Sequence, residues 1–155
     1  MPASEVPVVR GPWSTDQVAA FLAESVIPVR IGVDAGPGGP LVLSVWFVPD
    51  GLELIGATRP TSTLVRCLER RPECGFEVAA DAPPYRGVRG RARVELDRVG
   101  GAATLDRLLG RYLGGMDSPL ADRLRAAAAD EVGFRLRPAS LTSWDYRDRM
   151  AASLD

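Results

Sequence analysis

From residue 28 to residue 96 the chain is written as short apolar-alternating runs cut by Gly, Pro and Asp, which points to a β architecture. Pro28 to Asp34 sets Val29, Ile31 and Val33 against polar or small residues, and Ala35 to Pro40 is a Gly- and Pro-rich turn. Leu41 to Val48 follows, with Leu43, Val45 and Phe47 on one face and Val42, Ser44 and Trp46 on the other. Asp50-Gly51 signals a hairpin into the return run Leu52 to Thr58, so these three runs predict an antiparallel meander. Cys74 to Ala80 is a further strand. Val88 to Leu96 alternates most cleanly, with Val88, Ala92, Val94 and Leu96 inward and Arg89, Arg91, Arg93 and Glu95 outward. Val132 to Arg137 is the last strand.

Helices flank these strands. Ser14-Thr15-Asp16-Gln17 fits a capping box and opens a helix over about 14–25. Leu64, Cys67 and Leu68 recur at helical spacing within Thr61 to Arg71, and two further helical stretches make an insertion over about 103–129. The expectation is one domain over 1–155, mainly β with peripheral helices (α+β). Its core is a six-stranded antiparallel split β-barrel over about 28–96 and 132–137.

Composition narrows the chemistry. The 155 residues contain no His, and all 19 cationic side chains are Arg. Without His, a Ser-His-Asp triad and the common zinc sites are excluded, and no metal site is expected. Without Lys, Schiff-base chemistry is excluded. An enzyme built from this set leaves the hard chemistry to a bound organic cofactor. A GC-rich genome, which codes Arg ahead of Lys, accounts for the missing Lys without reference to function. With 20 acidic residues the formal charge is −1, which disfavours nucleic acid and anionic membranes as partners. Cys67 and Cys74 read as reduced thiols, no run approaches the ~18 apolar residues of a membrane span, and the first residues carry no apolar signal core. A cytoplasmic protein is expected.

The most suggestive stretch is Thr58-Arg59-Pro60-Thr61-Ser62-Thr63, where a strand hands over to a helix. First-turn amides lack intrahelical partners, the hydroxyls add donors, and Arg59 adds a fork that matches phosphate. A phosphate cradle fits, and so does a plain N-cap beside a solvated arginine. Trp46 suits a flat-ring pocket, a dimer interface or the barrel core, and Ala57-Thr58 offers small backbone against which a ring can lie. The Arg89, Arg91, Arg93 stripe reads as a solvated face.

In this order the segments resemble the pyridoxamine-5′-phosphate-oxidase-like, FMN-binding split β-barrel family. The resemblance is carried by Val45-Trp46-Phe47 before a Pro-Asp-Gly turn, Ala57-Thr58-Arg59-Pro60 and the helix Ser62 to Arg71 closed by Pro72. Pro84-Tyr85-Arg86-Gly87-Val88, Gly90-Arg91-Ala92 and the closing Pro138 to Asp145 complete it. The resemblance implies a homodimer with two equivalent cofactor sites at the subunit interface. A flat ring would lie near Val45, Trp46, Ala57 and Thr58, its phosphate would reach Arg59, Ser62 and Thr63, and Tyr85 and Arg86 would approach from their loop. The family pattern places a Lys where this chain has Leu64. Losing one charge-assisted contact is worth about 1.5–3 kcal/mol, or roughly ten- to a hundredfold in affinity.

Two functions follow. One is an oxidoreductase using FMN, or the deazaflavin coenzyme F-420, to move hydride to or from a small organic substrate, with no general acid assignable beyond a guess at Tyr85. The other is a non-catalytic split barrel that binds a ligand or partner with no cofactor.

Overall fold

The computed structural model describes residues 6–114 and 117–151. Among them are eight strands: β1 (Val8–Arg10), β2 (Val29–Asp34), β3 (Pro40–Val45), β4 (Val48–Asp50), β5 (Glu53–Thr58), β6 (Glu73–Ala79), β7 (Arg86–Asp97) and β8 (Val132–Asp145). Five α-helices accompany them: α1 (Thr15–Glu24), α2 (Thr63–Arg70), α3 (Gly101–Leu113), α4 (Pro119–Ala126) and α5 (Arg147–Ala151). The strands form one sheet in the order β3-β2-β6-β7-β8-β5-β4, with β1 added in parallel to β8.

The expected six strands are therefore eight, for two physical reasons. The run expected over 41–48 breaks, because the Phe47 amide leaves the ladder and donates to Tyr112 Oη at 3.2 Å. Its first part pairs with β2 and its second with β5. The two ends of the sheet are thus consecutive pieces of one run, and the sheet curls round to meet itself at Trp46-Phe47. The other addition is β1, a short segment without alternation, which occupies the flank of β8 that β5 leaves open.

The last strand also runs further than expected, to Asp145. Pro138 lacks an amide hydrogen, which a strand interior rarely accommodates. It is tolerated at a bulge, where Ala92 faces Pro138 and Arg91 faces Ser140, leaving Ala139 unpaired. The segment beyond the expected strand is a latch. Trp13 Nε1 donates to Asp145 at 3.1 Å and the Ser143 hydroxyl accepts the Trp13 amide at 3.1 Å. Arg147 grips the same carboxylate and, as the largest cause, holds its pKa down at about 2.

The alternation seen in the sequence fills the interior. Val29, Ile31, Phe76, Val78, Val88 and Val94 are buried, and the apolar stripes of α1 and α2 close over them. Gly90 leaves room for this packing, since a methyl group there would collide with the Ser140 carbonyl and press on the Phe76 ring. The α1 capping box is complete, with Gln17 N donating to Ser14 Oγ and Ser14 N to the Gln17 side chain. A second cluster joins α3, α4 and the turn Ala128–Asp130 through Leu105, Leu109, Ala121 and Ala128, and Trp46 packs against it. No helix among the described residues is long and apolar enough to cross a membrane.

Candidate functional site at the β5–α2 junction

Strand β5 ends at Thr58, paired with Val132 at the start of β8. The chain then turns over Arg59-Pro60-Thr61, closed by the Ser62 amide on the Arg59 carbonyl at 3.0 Å. Ser62 caps α2 and accepts from the Val65 amide at 3.2 Å. The N-cap reading of this serine holds, so its hydroxyl already has one partner. The first turn of α2 carries no acidic residue. Arg59 and Thr63 are exposed at its mouth, and Arg66 donates to Thr63 Oγ1 at 3.2 Å. Among the described residues neither Arg59 nor Arg66 forms an ion pair within 4.0 Å. The junction is a positive corner with no ion pair within 4.0 Å among the described residues, the setting in which a helix N-terminus takes an anion.

One carboxylate stands near it. Glu131, half-buried just before β8, has its pKa raised by burial, and the Arg59 charge pulls the other way. Burial dominates, so this carboxylate resists ionisation beside the corner.

Leu64 is turned away from the junction. Its side chain is 2 % exposed and belongs to the barrel core with Cys67 and Leu68. The position where the family pattern has Lys therefore faces apolar side chains here.

The strand β4 runs antiparallel to β5 with Val48 opposite Ile55, so the chain just before β4 approaches the end of β5 that carries Ala57 and Thr58. Val45, Trp46, Ala57 and Thr58 are all half-buried there. Trp46 is already engaged: Tyr112 stacks on it with ring centroids 4.9 Å apart and planes 7° from parallel. The Tyr112 hydroxyl accepts the Phe47 amide and donates to the Ile27 carbonyl at 2.8 Å. Beside it Arg111 donates to the carbonyls of Leu22, Ala23 and Ser25 at the end of α1 and covers the Phe47 ring at 5.1 Å.

Tyr85 and Arg86 lie elsewhere. Arg86 pairs with Asp145, at the opposite end of the 14-residue β8 from Val132, about 40 Å away along the strand. Arg86 covers the Phe21 ring at 5.6 Å, and Tyr85 is exposed. One chain does not bring this pair to the junction.

Tyr112, Arg111 and Glu131 were missed as neighbours of the site. Arg111 and Tyr112 sit within Gly110 to Gly114, a stretch whose only local signal is small residues four apart. Cys67 and Cys74 are buried free thiols, and burial pushes Cys74 up to about 12, so it is no nucleophile. No group of three or more metal-ligating side chains occurs among the described residues.

Solved structures share this fold. A conserved hypothetical protein of Mycobacterium tuberculosis is 22 % identical, with 90 % of this chain and 89 % of that chain covered and a TM-score of 0.74. A structure named F420 reductase is 24 % identical over 84 % of this chain and 97 % of its own, at 0.67. A Listeria innocua protein named for pyridoxamine 5′-phosphate oxidase is 16 % identical over 83 % and 96 %, at 0.63. The fold is the pyridoxamine-5′-phosphate-oxidase-like split β-barrel. No protein-family model matches the sequence, and no curated protein does. At these identities the likeness carries the split barrel alone, and the chemistry rests on the residues of the junction.

Proposed function

We propose that this split barrel holds a phosphorylated flavin or deazaflavin at the β5–α2 junction and works as an oxidoreductase on a small organic substrate. The observation that carries the reading is the positive corner formed by the Ser62-capped N-terminus of α2 with Arg59 and no acidic residue in its first turn. The residues fit the group in part. Arg59, Thr63 and the first amides of α2 would hold the phosphate, while Ala57 and Thr58 offer a small edge for the ring. Leu64 contributes nothing to that grip. When bound, such a cofactor supplies hydride transfer, and FMN and F-420 are the two candidates. The chain supplies position: the α2 dipole and the Arg59 guanidinium orient the phosphate, and the half-buried β5 edge limits water. A homodimer completes the reading, because Tyr85 and Arg86 would meet the junction only from a second copy. A cytoplasmic location goes with it, since two buried free thiols suit a reducing compartment.

The test is titration of the purified chain with FMN and with F-420, followed by ring absorbance and fluorescence. Micromolar or tighter binding of one supports the reading. Binding of neither favours a second reading, a non-catalytic split barrel without cofactor. Two observations speak for that alternative: Leu64 is sealed in the core, and Trp46 is covered by Tyr112.

A further inference from the structure

The outer face of the sheet carries a hollow. Across β3, β2, β6, β7 and β8 one row reads Val42, Gly32, Gly75, Arg91, Ser140. Two glycines side by side leave bare peptide at its centre. The next outward side chains along the strands are Arg30 and Asp34 on β2 and Glu77 and Glu73 on β6. With about 3.4 Å per residue and about 4.8 Å between strands, these residues, Val42 and Arg91 frame a window of roughly 13 by 14 Å. A concavity of about 610 Å³ opens over it, lined also by Pro40, Arg93 and Ala139. That volume falls within the ~300–1,000 Å³ of small-molecule sites.

Nothing inside the chain asks for glycine at these two positions. At Gly56, Gly87 and Gly90 an added Cβ would strike the Phe134 ring, the Val78 carbonyl and the Ser140 carbonyl, so packing explains those three. At Gly32 and Gly75 the nearest atom to an added Cβ is 3.9 Å away, an ordinary contact, and neither backbone is left-handed. A strand glycine forgoes packing and costs ordering entropy. Where its own chain does not require it, it marks the close approach of another group.

Arg91 gives that group its sign. The side chain is exposed beside the glycine floor and has no hydrogen-bond or ion-pair partner among the described residues. On either side of it Arg93 stands next to Glu73 and Arg89 next to Glu77, whereas the Arg91 row holds no carboxylate. Val42, at the other end of the row, is apolar and 66 % exposed.

We propose that this hollow binds a flat aromatic monocarboxylate. The ring lies on the peptide planes of Gly32 and Gly75, its far edge meets Val42, and its carboxylate takes the two-nitrogen fork of Arg91. Glu73 and Glu77 stand about 7 Å to either side of Gly75 along β6 and repel a second negative charge. One carboxylate is therefore favoured over a phosphate monoester. The site is separate from the β5–α2 junction. Arg91 pairs with Ser140, and the junction strand pairs with Val132, about 25 Å back along β8. The inference goes beyond the proposed function and does not rest on it.

Titration of the full chain with 2-naphthoate, followed by the fluorescence anisotropy of the probe, tests it. Saturable binding of one probe per chain is expected. Competition should show 2-naphthamide, flat but neutral, and cyclohexanecarboxylate, charged but not flat, each at least about tenfold weaker. Arg91→Gln, at an exposed position, weakens 2-naphthoate at least about tenfold. Gly75→Val raises a side chain through the floor and abolishes binding. Its urea midpoint stays at or above that of the wild-type chain, because the added Cβ has room and a β-branched residue suits a strand. No saturable binding below about 1 mM, as a face covered by another chain would give, overturns the proposal. So does equal affinity for the three probes, or wild-type affinity in both variants. Whether FMN or F-420 binds enters none of these outcomes.

Discussion

The β5–α2 junction and the bend at Trp46-Phe47 flank the same end of β5, yet they are finished in opposite ways. At the bend most polar groups are taken up, and only Arg111 Nε is buried there without a hydrogen-bond partner among the described residues. Tyr112 covers Trp46 and satisfies the Phe47 amide, and Arg111 ties the region to the end of α1. At the junction the first turn of α2 has a serine cap, two arginines without ion pairs and no acidic residue. A finished region contributes stability, and an open positive corner can take an anion. The junction is therefore the place to look for function, and the bend is the place to look for folding energy.

Substitutions separate the two. The largest effect is expected from Leu64→Lys, which pushes an ammonium into the apolar end of the barrel. It should lower stability by about 4 kcal/mol in urea unfolding, and a tighter cofactor without loss of stability would show that Leu64 borders the site. Tyr112→Phe keeps the stack but strands the Phe47 amide and the Ile27 carbonyl. That predicts a loss of about 2 kcal/mol by the same measurement, with phosphate-cofactor affinity unchanged. Arg59→Ala should do the reverse, leaving the unfolding midpoint in place while weakening cofactor binding at least tenfold, about 1.4 kcal/mol.

The smallest effect belongs to Glu131. Burial raises its pKa, so its neutral form suits the folded chain. The stability tied to that form is complete below the ordinary value of 4.5 and is lost as pH rises through the raised one. Glu131→Gln should stabilise the chain slightly at neutral pH and tighten an anion at Arg59 by roughly two- to fivefold. The wild-type chain should show the same tightening as pH falls through the raised value. An affinity flat with pH, matched by no change in the variant, would mean that Glu131 does not act on the corner.

Much of this was legible in the sequence because alternation reports burial directly. Val88 to Leu96 declared both faces of β7, and Ser14 with Gln17 declared the start of α1. The extra strands were not legible. The break at Trp46-Phe47 depends on Tyr112, 65 residues away from Phe47, and β1 depends on a free edge that exists only once β8 is in place. The extension of β8 past Pro138 was not legible, because a bulge that tolerates proline has no local signature. Of the candidate site, the strand-to-helix handover and its cap could be read from Thr58 to Thr63. The burial of Leu64 could have been read too, since it shares the helical stripe of Cys67 and Leu68. The approach of Glu131 to Arg59 could not, because it joins the residue after β5 to the residue before β8, 72 positions on in the chain.

The measurement that bears most directly on the account is an equilibrium titration with FMN and with F-420, run side by side on the wild-type chain and on Arg59→Ala. Saturable micromolar binding of one cofactor by the wild-type chain, weakened at least tenfold in the variant at equal stability, is the predicted result. Saturation by neither cofactor, or identical affinity in both chains, would contradict it.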